Sequence, residues 1–141
     1  RRLALPGTHG LAGMALLASG ALVVGMAGSA SASGLNVSVS RSWGTATFYP
    51  DGDWLYVKDS SADGYSVQAK IERWQKVNID AWGWRDHRTG CYDTTSIGQP
   101  GTGITTCNYD LTENDTVRVC IVRSKDGVRY GDWLCSASTK A

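Results

Sequence analysis

Four cysteines, Cys91, Cys107, Cys120 and Cys135, restrict this chain more than any other feature. An even number in a small exported chain reads as a disulfide framework, and four cysteines allow three pairings. Pairing Cys91 with Cys107 and Cys120 with Cys135 closes two loops of about 15 residues, each adding roughly 3 kcal/mol in the chain-entropy model. The second pair also suits a hairpin. Val117, Val119 and Ile121 alternate on one face, Ser124-Lys125-Asp126-Gly127 offers a turn, and the strand that starts at Val128 ends at Cys135. Four thiolates can instead hold zinc, but the gaps of 16, 13 and 15 contain no Cys-x-x-Cys knuckle, and His87 lies outside the cluster. The expectation is two disulfides, no metal ligand set and no cofactor.

The N-terminal block supplies the oxidising compartment that such crosslinks need. Arg1 and Arg2 precede an apolar stretch from Leu11 to Gly28, and the small-residue run Ser29 to Ser33 follows. That order describes a secretory signal peptide over residues 1–32, cut after Ala32, with residues 33–141 as one domain. Gly13, Ser19, Gly20, Gly25 and Gly28 break the stretch, and no basic stop signal follows, so removal is favoured over a retained anchor. No cysteine directly follows the apolar region, which argues against a lipoprotein. The arginine pair leaves a twin-arginine route open beside the general one.

Charge narrows the partners. Of 14 Lys and Arg, two leave with the leader, and the 12 that remain face 13 acids. A mature charge of −1 argues against binding to nucleic acid through unpatterned attraction. No second apolar run is long enough to cross a membrane. The expected product is a secreted, extracellular monomer.

The mature part is rich in residues suited to pleated surfaces: Val, Ile and Thr number 25 against 15 for Ala, Leu, Met, Glu and Gln. Candidate strands recur at Leu35–Ser40, Thr45–Tyr49, Trp54–Lys58, Tyr65–Arg73, Lys76–Trp84, Ile104–Tyr109, Thr116–Arg123 and Val128–Cys135. Pro50-Asp51-Gly52, Asp63-Gly64 and Asp126-Gly127 mark turns between them. The expected fold is all-β, a small antiparallel β-sandwich of seven or eight strands stapled by two disulfides. Gly90 to Thr106 reads as a long loop tied at its base by Cys91 and Cys107.

Gly44-Thr45-Ala46-Thr47-Phe48, Gly52-Asp53-Trp54-Leu55-Tyr56-Val57-Lys58-Asp59, Ala62-Asp63-Gly64-Tyr65-Ser66-Val67 and Val117-Arg118-Val119-Cys120 with Leu134-Cys135-Ser136 cover most of the mature chain. In these segments the chain resembles small exported β-rich proteins of filamentous actinobacteria, a largely uncharacterised group. The resemblance implies secretion, a compact β fold and the last disulfide. The Cys91–Cys107 pair departs from the group's pattern.

Catalytic constellations are weak. His87 lies in the charged stretch Arg85-Asp86-His87-Arg88-Thr89-Gly90, where a solvated loop histidine is the plainer account. Asp93 and Ser96 could be grouped with it, but no Gly-x-Ser-x-Gly elbow accompanies the serines. Glu72 with His87 and an arginine could be imagined as a ribonuclease, and Glu72 with Glu113 as a glycosidase pair, yet spacing alone positions neither. Both glutamates suit solvated strand edges or turns. Asp59 to Gly64 mimics the start of a calcium loop, but Lys70 stands at the twelfth position, where a glutamate is required. Asp51 with Asp53, and Asp110, Glu113 and Asp115, are explained by turn and cap chemistry. No catalytic residue is assigned.

Aromatic placement points to recognition instead. If Lys76 to Trp84 is a regular strand, Val77, Ile79, Ala81 and Gly83 share one face, and Trp82 and Trp84 share the other with polar neighbours. Trp54 and Tyr56 likewise alternate with Leu55 and Val57. Flat rings among hydrogen-bonding groups hold sugars on shallow β surfaces, and Asp80 and Arg85 could bond their hydroxyls. A bulge near Gly83 would turn the tryptophans into the core instead. The expected function is a non-enzymatic binding module for a polysaccharide or cell-wall polymer, with Trp54, Tyr56, Asp80, Trp82, Trp84 and Arg85 as ligand-binding residues. The alternative is an effector aimed at a secreted protein, a protease inhibitor or small toxin acting through the tethered segment 92–106.

Overall fold

The computed structural model describes residues 34–94 and 103–141; the expected leader, residues 1–32, and Ser96 lie outside them. All regular structure among the described residues is β. The nine strands are β1 (Val37–Arg41), β2 (Gly44–Tyr49), β3 (Trp54–Asp59), β4 (Ser66–Lys76), β5 (Trp82–Asp93), β6 (Thr105–Asn108), β7 (Thr116–Lys125), β8 (Val128–Cys135) and β9 (Thr139–Lys140). They form two antiparallel sheets. Sheet A has the order β1-β2-β3-β6; sheet B has the order β5-β4-β7-β8, with β9 also paired to β7.

The two-residue period of the pleat decides what lies between the sheets. On sheet A the inward positions are Val39, Ala46, Phe48, Leu55 and Val57; on sheet B they are Val67, Ala69, Ile71, Val117, Val119 and Ile121, all buried in one apolar cluster. Gly44 lets the sheets come close where β2 crosses β4, since a Cβ there would stand 2.5 Å from Val67 Cγ2. The β7–β8 hairpin turns on Asp126 (φ 50°) and Gly127 (φ 77°), the left-handed pair that a two-residue turn of matching twist requires.

Two strand boundaries differ from the expected ones. Lys76 to Trp84 is not a strand: β4 runs on to Lys76, the chain reverses over residues 77–81, and β5 starts at Trp82. The turn is local. Val77 N–H donates to Ala81 O at 2.9 Å, and Asn78 Oδ1 accepts the Asp80 N–H at 3.1 Å, giving the backbone an alternative to ladder bonding that alternation cannot reveal. Ile79, expected on a buried face, is 82% exposed at the tip. The second difference concerns Gly90 to Thr106. Cys91, Tyr92 and Asp93 pair with Ala69, Gln68 and Val67 inside β5, and Thr105 and Thr106 pair with Val57 and Tyr56 inside β6, so the connection is shorter at both ends than expected.

Both disulfides form as the pairs favoured from spacing. Cys120–Cys135 links directly opposed residues of β7 and β8. Cys91–Cys107 joins β5 to β6, the edge strand of sheet B to the edge strand of sheet A. Beside it Asp93, fully buried, accepts the Asp59 N–H at 2.8 Å and the Thr105 hydroxyl at 3.1 Å, so the ends of β3, β5 and β6 meet on one carboxylate.

Replacing Cys91 and Cys107 together by Ala removes a crosslink over 16 residues and is expected to lower the unfolding free energy by about 3 kcal/mol, read from the guanidinium midpoint. Burial pushes the Asp59 carboxyl above its ordinary 3.8, against the Ser61 N–H bond that holds it down, and Asp63 and Asp93 add to the rise. A folded state that keeps a proton the unfolded chain has lost is penalised as that proton leaves. The penalty is absent below 3.8 and complete above the folded value. Asp59→Asn, which keeps the acceptor for Ser61, is therefore expected to be more stable than the parent protein at pH 7. That advantage should shrink as the pH falls toward 3.8 in urea titrations.

Candidate functional site

The pleat that turns Val67, Ala69 and Ile71 inward turns Gln68, Lys70, Glu72 and Trp74 outward on β4. Cross-strand register then sets their neighbours. Trp74 faces Trp84 and Lys76 faces Trp82 on β5; Glu72 lies between Asp86 on β5 and Arg118 on β7; Lys70 faces Cys120. The outer face of sheet B thus gathers three tryptophans at one end and an ionic cluster beside them.

The cluster is well shielded for an outer face: Lys70 is 9% and Glu72 8% exposed. Glu72 accepts from two cations, Lys70 Nζ at 2.8 Å on Oε1 and Arg118 Nε at 2.7 Å on Oε2. Lys70 Nζ also reaches Asp86 Oδ1 at 2.7 Å and sits 4.4 Å from the ring centroid of Trp133. Arg118 lies 4.3 Å over the ring of Trp84, a cation–π contact whose guanidinium is fixed by Glu72. Trp84 in turn packs edge-on against Trp74, centroids 5.2 Å apart. The middle ring is thereby held by a cation on one side and an aromatic edge on the other.

Trp82 is 59% and Trp74 42% exposed, and Trp84 is half-buried between its supports. Register is continuous across Gly83, with Gln75 opposite it and no bulge, so Trp82 and Trp84 leave the same face of β5. Asp80 is exposed in the adjoining turn. Arg85 is also exposed but pairs with Arg73 and alternates with Trp84, so it projects to the other side of the sheet. Trp54 and Tyr56, both exposed, lie on the outer face of sheet A, across the thickness of the sandwich from Trp82. The six candidate residues therefore divide into Trp82 and Trp84 with Asp80 nearby, Trp54 and Tyr56 on the opposite face, and Arg85 apart from both.

Sequence reasoning missed Trp74, Lys70, Arg118 and Trp133. Alternation along β4 groups Lys70, Glu72 and Trp74, but their meeting with Trp84, Arg118 and Trp133 depends on which strands are neighbours. Glu72, expected at a solvated edge, is instead buried in a central position between β5 and β7, with both oxygens engaged.

The other titratable groups separate. His87 lies within β5 rather than in a loop, opposite Ile71 on the inward face and 6.0 Å from the ring of Tyr109, so it leaves the opposite side of sheet B from Glu72. Glu72 lies near the Cys120 and Cys135 sulfurs, but both thiols are consumed in their disulfide. Asp53 accepts the Leu111 N–H at 2.9 Å, and its carboxyl is raised by burial against that bond; Asp115 pairs with Arg73. Of the tethered segment, residues 95–102 lie outside the described part.

Comparison of the chain with protein-family models, with curated proteins and with solved structures finds no match.

Arg118→Ala leaves Glu72 Oε2 without its donor in a shielded position and uncovers Trp84. The expected cost is about 2 kcal/mol, with a red-shifted tryptophan emission, and Glu72→Gln in the same chain should restore part of the loss. An unchanged denaturation midpoint together with unchanged emission would count against the bracing of Trp84.

Proposed function

We propose that this protein is an extracellular, non-enzymatic binding module that holds a polysaccharide across the outer face of sheet B. The observation that carries the reading is the arrangement of Trp74, Trp82 and Trp84: two well-exposed indoles flank a third that is braced by Arg118 and Trp74. Rings held in place before the ligand arrives lose little freedom on binding, so stacking against the apolar faces of sugar rings is not offset by ordering the site. Lys76 and Asp80 supply hydrogen-bonding groups at the rim, and the sheet is shallow enough to follow an extended polymer rather than enclose a small molecule. Export is supported by the charged, apolar and small-residue order of residues 1–32 and by two intramolecular disulfides, crosslinks typical of extracellular proteins.

The test is retention of the purified, oxidised protein on insoluble chitin, cellulose or cell-wall sacculi. Retention on at least one is expected. Each stacked ring contributes on the order of 1 kcal/mol, so Trp74→Ala with Trp82→Ala should weaken binding by about thirtyfold while the far-ultraviolet circular dichroism stays unchanged. Failure of the parent protein to be retained on any of the three, or full retention of the double variant, would remove the tryptophan face as the site.

A further inference from the structure

The outer face of sheet A carries a second feature of different chemistry. Between β2 and β3 lies an open pocket of about 260 Å³, lined by Thr45, Thr47, Tyr49, Tyr56, Lys58 and Ser60 and bounded at one end by Ile104. One wall is the pair Tyr49 and Tyr56, with ring centroids 4.9 Å apart. The floor is hydroxylic and ordered: Thr45 and Thr47 each bond a serine of β1, Ser40 and Ser38, at 2.8 Å. Each such pair spends one proton between two hydroxyls, so one proton per pair is left to donate and lone pairs are left to accept.

Among the described residues, Lys58 is the one charged residue in this lining, and none of their acids neutralises it. Among the described residues it makes no ion pair. The carboxylate next to it in sequence, Asp59, turns into the core, is 1% exposed and accepts the Ser61 N–H. An ammonium beside aromatic rings and hydroxyls, without a carboxylate partner, favours an anionic ligand. The volume lies below the range usual for drug-sized ligands, which sets the occupant at about one ring.

We infer that this pocket is a second binding site, on the opposite face from Trp74, Trp82 and Trp84, for a single sugar ring bearing one negative group. Tyr56 stacks on the ring, the threonine hydroxyls bond its hydroxyls, and Lys58 pairs with its carboxylate or sulfate ester. The inference does not rest on the function proposed for sheet B, because the two faces share no residue.

Calorimetric titration of the oxidised protein at low salt with short polygalacturonate, short dextran sulfate and neutral dextran tests it and separates the two anions. Binding of at least one anionic chain, with none of neutral dextran at the same concentrations, is expected. Lys58→Gln should weaken that binding about tenfold, as should Tyr56→Ala, whereas Trp74→Ala with Trp82→Ala should leave it unchanged. Absence of binding to both anionic chains overturns the inference, and so does binding that survives Lys58→Gln. Loss of anionic binding in the tryptophan variant also overturns it and transfers the ligand to sheet B. Retention on insoluble polymer that fails in the parent protein, with anionic binding intact, leaves this pocket standing and removes only the sheet B reading.

Discussion

The alternation of side chains along β4 and β7 governs the rest of this molecule. Three successive inward positions on each of these central strands are small or branched apolar side chains, Val67, Ala69 and Ile71 on one and Val117, Val119 and Ile121 on the other, and together they form sheet B's half of the core. The residues between them cannot follow into the interior. Lys70, Glu72, Trp74, Arg118 and Cys120 are left on the outer face, where direct cross-strand pairing sets Lys70 beside Cys120 and Glu72 beside Arg118. The core and the candidate site are thus two sides of the same strands.

On that outer face the ionic cluster does more for position than for stability. Lys70 and Arg118 balance Glu72 and Asp86, so the group is neutral, but removing Lys70 and Glu72 from water costs much of what their pairing returns. What the cluster supplies is a fixed guanidinium over Trp84 and a fixed ammonium over Trp133. Cys120–Cys135 lies in the same layer and ties β8, which carries Trp133, to β7. A rigid backing of this kind is what an exposed aromatic surface needs if binding is not to be consumed in ordering side chains.

The two sheets are joined by more than apolar contact. Cys91–Cys107 and the buried Asp93 clasp their edge strands at one side, with Asp59 brought to the same carboxylate through its backbone. This leaves the outer faces as separate surfaces with unlike chemistry. Sheet B presents indoles backed by charge pairs; sheet A presents hydroxyls, tyrosines and Lys58.

The all-β class, the strand rhythm, both disulfide pairings and the positive-φ turn at Asp126-Gly127 were legible in the sequence, because each depends on residues close together or on a period of two. The same local signals misplaced the β4–β5 reversal, since an Asn78 side chain capping its own turn leaves no mark on apolar alternation. Trp82 and Trp84 were readable as a pair for the same reason that Trp54 and Tyr56 were, two residues apart on a strand. Tertiary structure alone decided that these pairs lie on opposite faces, that Trp74 and Arg118 support Trp84, and that Glu72 is enclosed rather than solvated. Those outcomes depend on which strands pair and in what register, and hydrogen-bonded neighbours such as Glu72 and Arg118 are 46 residues apart in the chain.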